Sequence, residues 1–179
     1  LGRGTGTQDF IRRILEEADL PPVIDADGLN AVDAAFITEH SNGRWILTPH
    51  MGEFKRLAGT EEMNADDRVR LAQHFAREWG CVLLLKGLPS VAASPDGRAW
   101  ICATGNPALA TAGTGDVLAG MCAGLLAQGL SPIEAAVAAM HIGGAAADRF
   151  AERRAARSMQ AMDLVGELPS LLKDRFEEA

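Results

Sequence analysis

Cys81-Val82-Leu83-Leu84-Leu85 is an unbroken apolar run that follows directly on Gly80. A strand with one wet face alternates apolar and polar residues, whereas a continuous run fits a strand covered on both faces. A chain with such a strand needs a layer on each side of its sheet. Segments suited to those layers surround it. Asn64 to Trp79 places Val69, Leu71, Ala72, Phe75, Ala76 and Trp79 on one side of a helix, and Gly80 closes it as a C-cap. Val23–Asp27 and Trp45–Thr48 read as two more strands, followed by a helix from Gly28 to Phe36 and, through the crossing Pro49–Glu53, by one that ends near Gly59.

Thr7 to Ala18 carries Phe10, Ile11, Ile14 and Leu15 at helical spacing and is stopped by Pro21-Pro22. Pro95-Asp96-Gly97 separates Ser90–Ser94 from Arg98–Ala103 as a hairpin turn. After Gly105-Asn106-Pro107 the chain turns rich in Ala and Gly. It predicts helices over Gly115–Ala127 and Pro132–Ala155, with a shorter one near the C-terminus. Strand alternating with helix predicts a three-layer α/β domain with a mainly parallel sheet, one domain over residues 1–179. The opening Leu1-Gly2-Arg3-Gly4 is a glycine loop of the kind that follows a strand, so the domain is expected to lack its N-terminal strands.

Bulk properties narrow the function. A formal charge of −7 and no concentrated Lys/Arg stripe argue against a nucleic-acid partner. Arg153, Arg154 and Arg157 alternate with Ala and Glu as a solvated helix face does. Cys81, Cys102 and Cys122 have no metal spacing and sit in apolar runs, as free thiols of a reducing compartment do. No apolar run reaches the ~20 residues that span a bilayer. A soluble, cytoplasmic protein is the expectation.

Polar residues gather at the ends of the strands. Ala112-Gly113-Thr114-Gly115-Asp116 opens a helix with two glycines, which give a ligand access to free N–H groups at the positive end of the helix dipole. Asp116 in that first turn reads equally well as a helix-start residue or as a reactive carboxylate. Lys86-Gly87-Leu88-Pro89-Ser90 follows the buried strand and sets an ammonium at its carboxyl end, the edge where open α/β sheets bind ligands. Thr48-Pro49-His50-Met51-Gly52-Glu53 sits at a second strand-to-helix crossing, and Asp25, Asp27 and Asn30 at a third. His50 alone reads as a helix start, and Lys86 alone as a lysine snorkelling to solvent.

Together these segments resemble the ADP/ATP-dependent NAD(P)H-hydrate dehydratases of the ribokinase-like superfamily. The resemblance rests on Thr48-Pro-His-Met-Gly-Glu-Phe, on Lys86-Gly and on Gly105-Asn-Pro-Ala-Leu-Ala-Thr-Ala-Gly-Thr-Gly-Asp-Val-Leu-Ala-Gly, and continues through Ala135–Asp148. It implies a ribokinase-like fold and assigns Asp116 as the general base that also contacts the substrate hydroxyl. It places Lys86, Gly87, Leu88, Pro89, Ser90, Gly113, Thr114 and Gly115 around the nucleotide. Gly2, His50 and Asn106 would lie beside hydrated NADH or NADPH. ADP or ATP would serve as phosphoryl donor with Mg²⁺, and no all-protein metal cage is expected. A homo-oligomer is implied, as is a partner epimerase domain or protein.

Two alternatives stay open from the residues. A vitamin-precursor kinase of the same superfamily shares the Gly-x-Gly-Asp element, and a non-catalytic nucleotide-binding protein shares its anion site. The small residues Gly120, Ala123, Gly124 and Ala127 predict close approach of a neighbouring helix, and His141-Ile142-Gly143-Gly144 predicts the same. His141 is expected in the core or an interface.

Overall fold

The computed structural model describes residue 2, residues 4–59 and residues 67–176. Five strands form one sheet in the order in which they occur: β1 (Val23–Ile24), β2 (Ile46–Leu47), β3 (Val82–Leu85), β4 (Val91–Ala93) and β5 (Ala99–Ile101). β1, β2 and β3 are parallel, and the β4–β5 hairpin continues the sheet antiparallel. Each parallel pair is bridged by helices: α2 (Asp27–Ala31) and α3 (Ala34–His40) between β1 and β2, α4 (Met51–Ala58) and α5 (Arg68–Trp79) between β2 and β3. α1 (Thr5–Glu17) precedes them, and α6 (Thr114–Ala127), α7 (Pro132–Arg153) and α8 (Ala161–Phe176) follow.

The alternation of side chains along a strand divides the core in two. Leu47, Leu83, Leu85, Val91 and Ala93 face Phe54, Phe75, Ala76 and Trp79 of α4 and α5. Ile46, Val82, Leu84 and Ala92 face Cys122, Ala135, Ala136, Ala139 and Met140 of α6 and α7. All four β3 side chains are buried, as the apolar run requires. A third cluster, with Phe150, Met159, Leu164 and Leu171, seats α8 on α7.

Local differences from the sequence reading have physical causes. The expected helix from Gly28 to Phe36 is broken at Val32, whose backbone is extended, and Asp33 starts α3 by accepting a hydrogen bond from the Phe36 amide. The helix read from Asn64 begins at Arg68, its residues 64–66 lying outside the described residues. Gly80 ends it in the left-handed conformation at φ +61°, as expected of a C-cap. α8 spans 16 residues against 14 for α6, so the last helix is not a short one. The small face of α6 is open: a Cβ added at Gly120 or Gly124 meets no atom within 4 Å. In α7, Gly143 does serve the close approach of a helix, since a Cβ there would lie 2.9 Å from Met121 Cε of α6, while a Cβ at Gly144 would lie 2.3 Å from Thr104 Oγ1 in the segment after β5. His141 is exposed, not core.

Candidate active site

β1, β2 and β3 end in Ile24, Leu47 and Leu85, so Asp25, Thr48 and Lys86 leave the sheet at one edge. The ladder runs slightly past the strands. The Thr48 amide donates to Ile24 O at 3.1 Å, and the Lys86 amide to Pro49 O at 2.8 Å. His50 and Lys86 form an isolated parallel bridge. Lys86 then reaches across the end of β2 and its Nζ meets Asp25 Oδ1 at 2.7 Å, a pair 61 residues apart in sequence. Glu53 Oε2 lies 4.0 Å from the same ammonium. All three side chains are largely buried, at 21% exposure for Lys86, 11% for Asp25 and 17% for Glu53.

Glu53 is fixed from β2's side. His50 caps α4 through Nδ1, which accepts from the amides of Gly52 at 3.0 Å and Glu53 at 3.2 Å. Glu53 Oε2 in turn accepts from the His50 amide at 2.9 Å. This reciprocal arrangement is a capping box built on a histidine. Since Nδ1 accepts, Nε2 carries the ring proton, and the imidazole is more than half exposed, at 59%.

The start of α6 faces this cluster. Gly113 turns the chain into the helix at φ +88°, a conformation costly for a residue with a Cβ. Buried Thr114 locks the turn, its hydroxyl donating to Leu109 O at 2.6 Å and to Thr111 O at 2.8 Å. Among the described residues, the amides of Gly115 and Asp116 have no acceptor. A Cβ at Gly115 would lie 3.3 Å from Lys86 Nζ and 3.4 Å from Asp25 Oδ2. Free amides, a helix dipole and an ammonium thus converge on one point, which suits an anion.

An apolar pocket opens beside that point, walled by Leu109, Leu118, Met121, Met140 and Leu164 and entered past Lys86, Gly87, Leu88 and Ser90. The entry loop is tightened by Ser90 Oγ, which accepts from the Gly87 amide at 3.1 Å and donates to Gly87 O at 2.9 Å. The Leu88–Pro89 peptide in it is cis. Arg68 props the loop from below, donating to Lys86 O at 3.2 Å. On the far side Asp148 holds the segment before α6, accepting from the Gly105 amide at 2.8 Å and from Asn106 Nδ2 at 3.0 Å.

Most of the residues expected at a site therefore meet. Lys86, Gly87, Leu88, Ser90, Asn106, Thr114 and Gly115 line one pocket, with Pro89 in the same loop and His50 bridged to Lys86. Asn106 lines it with its amide already engaged, because Oδ1 also accepts from Ala108 N at 3.0 Å. Asp116 stands on the first turn of α6 with an exposed side chain, without a hydrogen-bond or ion-pair partner among the described residues, and outside the pocket lining. Gly2 lies apart from the pocket, donating its amide to Asp27 Oδ2 at 2.9 Å. Asp25 and Glu53 were not assigned from sequence. Asp25 shows locally only as a carboxylate just past a strand, and Glu53 only as a member of the Thr48–Phe54 motif; their pairing with Lys86 spans strands.

The model of the NAD(P)H-hydrate dehydratase family matches residues 1–170. The chain belongs to that family. This dehydratase-family chain is 55% identical, over 99% of its length, to the bifunctional NAD(P)H-hydrate repair enzyme of Salinibacter ruber, of which it covers 33%. It is 37% identical to the ADP-dependent (S)-NAD(P)H-hydrate dehydratase of Bacillus subtilis, again over 99% of this chain and covering 64% of the relative. A crystal structure of the B. subtilis ADP/ATP-dependent NAD(P)H-hydrate dehydratase, co-crystallised with ATP/Mg²⁺, superposes at a TM-score of 0.83. That match has 33% identity and covers 97% of this chain and 61% of the other. The chain thus spans about one third of the bifunctional relative and under two thirds of the solved dehydratase. A ribokinase-like superfamily protein of Enterococcus faecalis, 23% identical with a TM-score of 0.81 over 97% of this chain and 60% of that one, shares the fold. The fold is ribokinase-like α/β, with helices on both faces of a mixed sheet.

Proposed function

We propose that this chain carries the nucleotide-dependent dehydration of hydrated NADH or NADPH. The observation that supports it best is the convergence of the free Gly115 and Asp116 amides with the Lys86 ammonium at the mouth of an apolar pocket. That arrangement suits a polyphosphate whose base and sugar enter the pocket, with ADP or ATP as donor.

The proposed chemistry has two stages. Asp116 accepts the proton of the ring 6-hydroxyl as that oxygen attacks the terminal phosphorus of the nucleotide, and the bridging P–O bond breaks to release the shortened nucleotide. The Gly115 and Asp116 amides and Lys86 offset the charge growing on the phosphoryl oxygens. The ring nitrogen's lone pair then expels phosphate from C6, and loss of a proton from C5 restores the C5–C6 double bond. On this reading His50, with its ring proton on the exposed Nε2, contacts the nicotinamide nucleotide. On the same reading Gly2 and Asn106 contribute backbone and polar edges on the substrate side.

Among the described residues no group of three or more His, Cys, Asp or Glu could hold a metal ion. Mg²⁺ fits this donor set when carried in on phosphate oxygens, with one or two carboxylates such as Glu53 completing its shell. Bound there, it would neutralise phosphate charge. Three free thiols and the absence, among the described residues, of a helix able to cross a membrane accord with a reducing, aqueous compartment, which we take to be the cytoplasm.

The test is recovery of dihydronicotinamide absorbance from hydrated NADH with Mg²⁺ and ADP or ATP, beside a nucleotide-free sample. Asp116→Asn is expected to slow turnover by about 10²–10⁴-fold while ADP still binds; a change of only a few-fold removes Asp116 from the role of base. Phosphate analysis separates the kinase alternative, since a kinase leaves a stable phosphorylated product and a dehydratase releases free phosphate.

A further inference from the structure

Lysine is a flexible four-carbon stem, and Lys86 has two carboxylates within reach. Asp25 holds it at 2.7 Å, and Glu53, fixed by the His50 amide, stands farther off at 4.0 Å. Asp25 is itself well placed to hold. It follows Ile24, the buried end of β1, and its carbonyl accepts from the Gly28 amide at 2.9 Å in the turn into α2. Its carboxylate approaches α6 as well as Lys86. Oδ2 lies 3.4 Å from the Cβ that Gly115 lacks, and the Cys122 thiol beneath is pushed up to about 12 by burial and then by the Asp25 charge.

We propose that Asp25 is a positioning residue that fixes the Lys86 ammonium over the free amides of α6 before any phosphate arrives. With its ammonium preset, Lys86 loses little further freedom on binding, which is how preorganised sites gain affinity. Without Asp25, the nearest carboxylate is Glu53, and the ammonium swings toward His50 and away from Gly115. The inference rests on the nucleotide reading of the Lys86 loop.

The sign of the effect distinguishes positioning from plain electrostatics. Deleting a carboxylate beside a polyanion removes repulsion, so Coulomb's law alone predicts tighter nucleotide binding for Asp25→Asn. Positioning predicts weaker binding, and only while Lys86 is present. The experiment is calorimetric titration of ADP, with EDTA to exclude metals, into the wild type, Asp25→Asn, Lys86→Met and the double variant. We expect Asp25→Asn to weaken ADP about tenfold, as loss of a charge-assisted contact does. The double variant should bind no more weakly than Lys86→Met. Asp25→Glu, which keeps the charge but shifts it by one methylene, should fall between wild type and Asp25→Asn, and it serves if Asp25→Asn does not fold.

Unchanged or tighter binding by Asp25→Asn overturns the proposal. So does a further loss in the double variant, which makes Asp25 independent of Lys86. A loss seen only when Mg²⁺ replaces EDTA overturns it in favour of a metal ligand. If Lys86→Met binds ADP as the wild type does, the nucleotide reading of the loop falls, and this inference with it.

Discussion

At the scale of single residues, Gly115 decides what the site can accept. A methyl there would crowd Lys86 Nζ at 3.3 Å and Asp25 Oδ2 at 3.4 Å while meeting no backbone at those distances. Alanine is a good residue for a helix, so Gly115→Ala should fold normally and keep its melting temperature within a few degrees. Its cost should appear in the ligand: about tenfold weaker ADP, the scale of one displaced charged contact. A fall in melting temperature with ADP affinity intact would assign Gly115 to packing alone. The cysteines offer a second check. Burial pushes the Cys122 thiol up to about 12 and raises Cys81 as well, while Cys102 is half-buried on the pocket wall. A thiol reagent at pH 8 should therefore label Cys102 first, more slowly with ADP bound, and leave the other two until the protein unfolds. Native labelling of Cys81 would contradict its burial.

At the scale of elements, α7 shows how a helix is anchored from its first turn. Its capping box joins Ser131 to Glu134, whose carboxylate is held below its ordinary 4.5 by hydrogen bonds from the Ser131 hydroxyl and then from the Ser131 amide. A carboxyl depressed in the folded state stabilises above its unfolded value, and that contribution is lost as pH falls through the folded value. Glu134→Gln should thus melt below the wild type by a constant margin at neutral pH, a margin that narrows below pH 4.5. A gap independent of pH down to about 2 would place the effect elsewhere.

The elements were also where the sequence was most legible. The β3 run, the Pro95-Asp96-Gly97 hairpin and the Gly59 and Gly80 caps all carry local signals, because burial and backbone handedness act within a few residues. The break at Val32 was not legible. An extended valine and a single capping aspartate do not interrupt the apolar spacing that made residues 28–36 look continuous. The site divided in the same way. Loops with glycine announce themselves, whereas Asp25 and Glu53 matter through a lysine that approaches from another strand.

At the scale of the whole molecule, β3 is the layer on which both cores rest. Leu83 packs toward α4 and α5, Leu84 toward α6 and α7, and both are fully buried. Leu83→Ala and Leu84→Ala should each cost about 2–5 kcal/mol, with cavities on opposite sides of the sheet. The two side chains face opposite cores but share one strand backbone, so urea unfolding of the double variant reads how far a cavity on one face is felt on the other. A strongly sub-additive pair would mean that the sheet relaxes toward whichever side is emptied.

The cluster at the sheet edge has a kinetic consequence. Two carboxylates flank one ammonium, so Asp25, Glu53 and Lys86 leave that patch with an excess of negative charge, on a chain of formal charge −7. Such a surface does not draw anions in from a distance; attraction begins only when a phosphate reaches the amides of α6. Added salt screens charges more than about 10 Å apart at 0.1 M, so it should leave the ADP association rate unchanged or raise it. The chain would then gain nothing from long-range capture, and inorganic phosphate, which cannot fill the pocket, would compete poorly for the same amides.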